Sequence, residues 1–189
     1  MGIRKSRAGD EITMEYTVEI TTYCPNHCDY CSTNASKNGD HLDFSKIREF
    51  LSNAQYGDRI NISGGEPLAH PQFWGILQYC KNITPDVWVY TNAIEKMRYN
   101  TSVLKEVIVE ANVCLVPGRE VYIPQKADKV RLLQLAPTGR AKDMKPANIH
   151  VSGNIRDGCQ GCNHLVLQAD GQVVDAPCKK NYKEGVDED

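Results

Sequence analysis

Hydrophobic positions recur along this chain with two periods that take turns. Residues 14–22 alternate and are β-branched, which predicts a first strand. Asp43-Phe44-Ser45-Lys46-Ile47 opens a helical pattern, with Asp43 as N-cap and Ile47, Phe50 and Leu51 on one face. Residues 59–63 form a short second strand that runs straight into Gly64-Gly65-Glu66-Pro67. A second helix is predicted over 72–81, with Phe73, Ile76, Leu77 and Cys80 inward. Residues 87–90 give a third strand, closed by Thr91-Asn92-Ala93. Residues 102–110 read as a helix with Leu104, Val107 and Ile108 inward, and 113–116 as a strand stopped by Pro117-Gly118. After an irregular stretch, 129–136 is a further strand, closed by Pro137-Thr138-Gly139.

Strands alternating with helices imply right-handed βαβ units and a parallel sheet, an α/β fold. Ligands in such sheets bind at the carboxyl ends of the strands. Three motifs stand there: a cysteine loop after the first strand, Gly64-Gly65-Glu66-Pro67 after the second and Thr91-Asn92 after the third. The last third of the chain differs. Residues 165–174 are two extended runs around Asp170-Gly171, a hairpin signal, bracketed by Cys159-x-x-Cys162 and Cys178. Folding the hairpin would bring those thiols together. A zinc ribbon lacking one ligand and an iron–sulfur site both suit such a set.

The 189 residues, 41% of them hydrophobic, suffice for one domain with a core. A net charge of −2 argues against a binder of phosphate backbones. No apolar run reaches the ~18 residues of a membrane span, and residues 1–10 carry no secretory signal. Eight cysteines in that context point to the reducing cytoplasm and to metal ligation over disulfides. Cys80 and Cys114 lie in apolar periodic segments and are expected to be buried small hydrophobes. Cys24, Cys28 and Cys31, spaced C-x-x-x-C-x-x-C, can hold three corners of an iron–sulfur cube and leave the fourth iron open. The alternative is a zinc knuckle or three unrelated thiols.

The cysteine loop, with the aromatic Tyr30 before its last thiol and Gly64-Gly65-Glu66-Pro67 about one βα unit later, resembles the radical S-adenosylmethionine (SAM) superfamily. The resemblance implies that Cys24, Cys28 and Cys31 hold a [4Fe–4S] cluster whose open iron chelates SAM. Tyr30 would lie against the adenine, Gly64, Gly65 and Glu66 would meet the methionine amino group, and Thr91 and Asn92 would give polar contacts. Glycine there would let the backbone approach the ligand closely. Cluster reduction would cleave SAM to a 5′-deoxyadenosyl radical that abstracts hydrogen from a substrate.

Residues 133–141 and the hairpin are similar to the twitch/SPASM group, whose members carry auxiliary clusters. That likeness implies a second [4Fe–4S] cluster on Cys159, Cys162 and Cys178, with either an open iron or a fourth ligand from Cys80 or Cys114. The expected architecture is a shortened, partial (β/α) barrel over 12–141 with a cysteine-bracketed hairpin extension over 142–189. The expected partners are a low-potential donor, flavodoxin or ferredoxin, and a peptide or small cofactor-precursor substrate. A glycyl-radical activase and a non-catalytic metal-binding scaffold are the rival readings. Arg140 could grip a carboxylate or phosphate, or be an ordinary surface residue. The family's spacing leaves His27 no ligand role and implies a solvated loop histidine. His41, His70, His150 and His164 show no paired ligand spacing, and Trp74 and Trp88 are expected in the core.

Overall fold

The computed structural model describes residues 14–92, 107–121, 127–135, 139–145 and 164–175. Within them run β1 (Glu15–Glu19), α1 (Phe44–Phe50), β2 (Arg59–Ser63), α2 (Phe73–Ile83), β3 (Val87–Thr91), β4 (Ile108–Leu115), β5 (Lys129–Gln134), β6 (His164–Leu167) and β7 (Val173–Asp175). The strands form one seven-stranded sheet in the order β5-β4-β3-β2-β1-β6-β7. Every pair is parallel except the β6–β7 hairpin. Among the described residues the edges at β5 and β7 do not meet, so the sheet is open and the fold is a partial barrel.

The two faces of the sheet follow from its alternation. Tyr16, Val18, Ile20, Ile60, Ile62, Val87, Val89, Val109 and Leu167 share one face and form the main core. Ile47 and Leu51 of α1 and its following turn, and Phe73, Ile76, Leu77 and Cys80 of α2, join them there. Burying each large side chain stabilises the fold by about 1.5–3 kcal/mol. The opposite face carries Glu15, Thr17, Asn61, Tyr90, Glu110, Asn112 and Arg131 in register. Asn61 donates to Glu15 Oε1 (2.7 Å) and Thr17 Oγ1 (3.0 Å) and accepts from the Tyr90 hydroxyl (3.2 Å). Arg131 pairs with the buried Glu110 at 2.9 Å.

Both predicted helices that fall within the described residues form. Asp43 caps α1, its Oδ1 accepting from Ser45 N at 2.7 Å. Cys80 is fully buried in the core, as its segment suggested. Trp88 is buried as well, but Trp74 is 37% exposed, on the solvent side of α2.

The strand expected at 113–116 instead begins at Ile108, so the expected helix cannot extend to residue 110. Residues 102–106 lie outside the described residues. The reason is in the alternation: Val109, Ala111, Val113 and Leu115 take the core-side positions, while Ile108, Glu110, Asn112 and Cys114 take the other. Reading Val107 and Ile108 with Leu104 at helical spacing hid that period of two.

The predicted hairpin forms, with Leu165 opposite Asp175 and Leu167 opposite Val173. It does not stand apart from the barrel strands, because β6 pairs in parallel with β1 from Glu15↔His164 to Val18↔Leu167. Among the described residues, no helix is long and apolar enough to cross a membrane.

Candidate metal and cofactor site

The carboxyl ends of β1, β2 and β3 are tied into one unit by backbone hydrogen bonds. Past β1, Cys24 N donates to Ser36 O (2.8 Å) and Ser36 N to Thr22 O (3.0 Å), which closes the cysteine loop on its own stem. The turn after β2 lies against that stem: Gly65 N donates to Thr21 O (2.6 Å) and Glu66 N to Tyr23 O (2.9 Å). A Cβ on Gly64, whose φ is +140°, would sit 2.5 Å from Thr21 O, and one on Gly65 would sit 2.3 Å from Tyr23 O. The glycines are therefore required by close approach within the chain itself, a requirement the ligand-based expectation did not contain.

Glu66 is buried and gathers donors from the end of β3. The Thr91 hydroxyl lies 2.8 and 2.9 Å from its carboxylate oxygens, and Asn92 N donates at 3.1 Å. Leu68 N donates to the same carboxylate at 3.1 Å, so Glu66 also caps the short 3₁₀ turn Pro67–Ala69. Asn92 Nδ2 reaches Cys24 Sγ at 3.9 Å. The three predicted motifs thus meet, and Glu66 links them.

Within the loop, Cys24 is buried and Cys28 and Cys31 are partly exposed; all three are free thiols. Burial pushes the Cys24 thiol up, opposed by the Asn26 and His27 amides that donate to its sulfur, while Glu66 and Cys28 push it further up. His27 takes φ 44°, turning this short run back on the sulfur. Asn26 Nδ2 is buried with no partner, an orphaned donor inside the loop. Among the described residues no three ligating side chains converge on one metal ion. A cluster in which each thiolate holds a different iron needs no such point. Three free thiols, amides aimed at one sulfur and an orphaned amide fit an iron–sulfur group with a polar ligand beside it.

A second layer closes over the loop from β4 and β5. Tyr30, Cys114 and Met144 pack against a small cluster of Val116, Leu135 and Ala141. The Arg119 guanidinium stands over the Tyr30 ring, 5.2 Å from the centroid, and bridges to Asp29. The Tyr30 hydroxyl is pushed up to about 12, by burial first and then by Cys28. Cys114 faces Cys28 and Cys31, and its thiol is pushed up to about 11, mainly by burial. Arg140 donates from Nε to Cys28 O (2.8 Å), from Nη2 to Ala35 O (2.6 Å) and from its backbone N to Cys31 O (3.0 Å). This is a protein-to-protein clamp, where the sequence suggested a grip on a ligand or an idle surface residue.

His41 and His70 lack ligand spacing in the sequence, yet their rings meet at 4.8 Å beneath the loop. His41 Nδ1 is 2.9 Å from Thr21 Oγ1. His164 Nε2 is 2.6 Å from Thr17 Oγ1, on the face of the sheet away from the main core. Nothing in local spacing could reveal these pairs or Arg119–Asp29, which are joined only by the fold. Cys159, Cys162, Cys178 and His150 lie outside the described residues.

The radical SAM superfamily profile matches residues 18–117, more than half of the chain, and the chain belongs to that family. The PqqA peptide cyclase of Bradyrhizobium diazoefficiens is 29% identical over 109 residues, covering 56% of this chain and 28% of the cyclase. The chain therefore aligns with less than a third of that relative's length. BtrN, solved in complex with AdoMet and 2-DOIA, shares the fold at a TM-score of 0.56 and 18% identity, over 92% of this chain and 76% of BtrN. BtrN in an open conformation matches at a TM-score of 0.52 and 18% identity, over 87% of this chain and 70% of BtrN.

Proposed function

We propose that the chain is a radical SAM enzyme acting on a peptide. Cys24, Cys28 and Cys31 would hold a [4Fe–4S] cluster, with SAM beside Gly64, Gly65 and Glu66 and with Tyr30 near the adenine. Bound there, the cluster and SAM would supply radical hydrogen abstraction from the substrate. The observation that carries this reading is the linkage of Tyr23, Glu66, Asn92 and Cys24, which locks the turn after β2 to the thiol loop.

The protein's own residues orient and shield. Asn26 and His27 amides stabilise charge on the Cys24 sulfur. Glu66, held by Thr91 and Asn92, fixes the Gly64–Glu66 backbone that would meet the SAM amino group. Thr91 acts through Glu66, and Asn92 also touches the Cys24 sulfur. Tyr30 and its apolar neighbours keep water from one side of the loop.

The peptide substrate class is supported by the likeness to a peptide cyclase; a small cofactor precursor is the other substrate class the sequence motifs allow. Cys159, Cys162 and Cys178 are proposed to hold a second [4Fe–4S] cluster, in a segment 142–189 that follows the 12–141 barrel segment and shares its sheet through β6. A flavodoxin or ferredoxin is the proposed donor, and the cysteine usage supports a cytoplasmic setting.

Anaerobic reconstitution followed by dithionite and SAM tests the reading. Two clusters correspond to about eight irons per chain, and 5′-deoxyadenosine should accumulate. Replacing Cys24, Cys28 or Cys31 by alanine should abolish it, whereas Cys159, Cys162 or Cys178 variants should still cleave SAM. Zinc bound outside the first loop, with about four irons in all, would remove the second cluster. An intact cluster that never cleaves SAM would turn the reading to a scaffold.

A further inference from the structure

We infer that Arg140 is a positioning residue that holds the thiol loop and, through its charge, raises the reduction potential of the cluster bound there; this rests on the cluster reading above. Two of the three carbonyls it engages belong to the cysteines Cys28 and Cys31, and the third belongs to Ala35 on the return of the same loop. Its guanidinium fork meets Cys28 O and Ala35 O at once, which spans the loop from its middle to its exit. A lysine ammonium, a point charge without the planar fork, cannot reproduce that pair.

Gly139 seats the arginine. Its φ is +58°, and a Cβ there would come within 2.7 Å of Cys31 O and 2.6 Å of Ser32 O. The chain after β5 is therefore pressed against the loop at the last thiol. Among the described residues Arg140 pairs with no carboxylate, in contrast to Arg119, which bridges to Asp29. The Arg140 charge is directed at the carbonyl dipoles of Cys28 and Ala35, on the loop that carries the thiols. A cluster gains one negative charge on reduction, and a fixed cation beside it in a partly buried site favours the reduced form.

The test is a redox titration of the reconstituted chain, followed by the electron paramagnetic resonance of the reduced cluster, with iron content measured in parallel. Arg140→Gln should load iron and shift the oxidised-to-reduced ratio about tenfold toward oxidised at a fixed donor potential, about 59 mV for a one-electron couple. Arg140→Lys keeps the charge and should return the potential close to that of the natural chain, with an altered resonance because the fork is lost. An unchanged potential in a loaded Arg140→Gln chain would overturn the inference. If Arg140→Gln loads no iron, Arg140→Lys decides. A loaded lysine variant with near-natural potential supports the inference, while one that also fails to load, or shifts tenfold, reduces Arg140 to a structural residue. A natural chain that binds no iron would sink the cluster reading itself, a result distinct from any of these.

Discussion

The Thr91 hydroxyl lies 2.8 and 2.9 Å from the two carboxylate oxygens of Glu66, and both residues are buried. This contact joins the ends of β3 and β2 at the level of the thiol loop. A carboxylate removed from water needs its donors. Thr91→Val keeps the shape and removes one donor, at a cost of about 1.5–3 kcal/mol for a bond to a charged group. Urea unfolding of the metal-free chain should read that loss, and Thr91→Ser should recover most of it. A valine variant as stable as the natural chain would mean that the Glu66 charge is satisfied without Thr91.

Gly65 and Gly118 make a matched pair for testing why glycine stands after β2. Gly65 does not need a left-handed backbone, yet its Cβ would lie 2.3 Å from Tyr23 O. Gly118 has φ +75° with nothing within 4 Å of its Cβ. Gly118→Ala should therefore cost only the left-handed penalty of about 1–2 kcal/mol. Gly65→Ala must push the turn off the thiol loop and should cost clearly more, with loss of iron loading. Equal costs in thermal unfolding would contradict the backbone-contact account.

Most of the site could be read from the sequence because its chemistry is local. Three thiols fall within one loop, and Gly64-Gly65-Glu66 follows a strand of period two. The layers behind it are long-range. Asp29–Arg119 is 90 residues apart in sequence and Cys28–Arg140 is 112. No periodicity signals such contacts; only the strand order brings the ends of β4 and β5 over the loop. The placement of β6 beside β1 was hidden for the same reason. The hairpin pattern predicts the pairing of β6 with β7 but says nothing of the other edge. The start of β4 was misread because Val107 and Ile108 satisfy both periods, and only the run through Leu115 separates them.

The buried His70 ring gives a pH dependence with a defined sign. Its Nδ1 accepts from Gln72 N (3.0 Å), so its Nε2–H donates to Leu42 O (3.2 Å), and the neutral ring is satisfied. Burial holds its pKa below the ordinary 6.5; the Leu42 carbonyl opposes the shift and the nearby His41 adds to it. The unfolded chain then binds the proton more readily than the folded one. The stability His70 contributes is full above about pH 6.5 and is lost as the pH falls through the lower folded value. Urea midpoints should drop between about pH 7.5 and 5.5, and His70→Gln should flatten the slope. Because the His41 ring packs against that of His70, His41→Gln is the required control. Asp29 and Asp43, held below the carboxylate range by Arg119 and Ser45 respectively, act only at lower pH. A slope unchanged by His70→Gln would assign the effect elsewhere.

The hairpin is locked to the sheet through Thr17. Both protons of the Asn61 amide are engaged, one by Glu15 and one by Thr17, and its oxygen accepts from Tyr90. Thr17 Oγ1 thus accepts from Asn61, and its own proton points to His164 Nε2 at 2.6 Å. The donors run in one direction, from Tyr90 on β3 through β2 and β1 to β6. Thr17→Val breaks the run at its centre and leaves the fully buried Asn61 with an unpaired N–H, costing about 1–3 kcal/mol. The consequence should be uneven, since among the described residues β6 pairs with β1 and β7 alone. Amide exchange in Leu165, Val166 and Leu167 should speed up more than in Val87, Trp88 and Val89, which sit inside the sheet. Thr17→Ser keeps the hydroxyl and should restore protection. An equal rise in both sets would mean that β6 opens only when the whole sheet does, and that the hydroxyl relay adds nothing local to the docking of the hairpin.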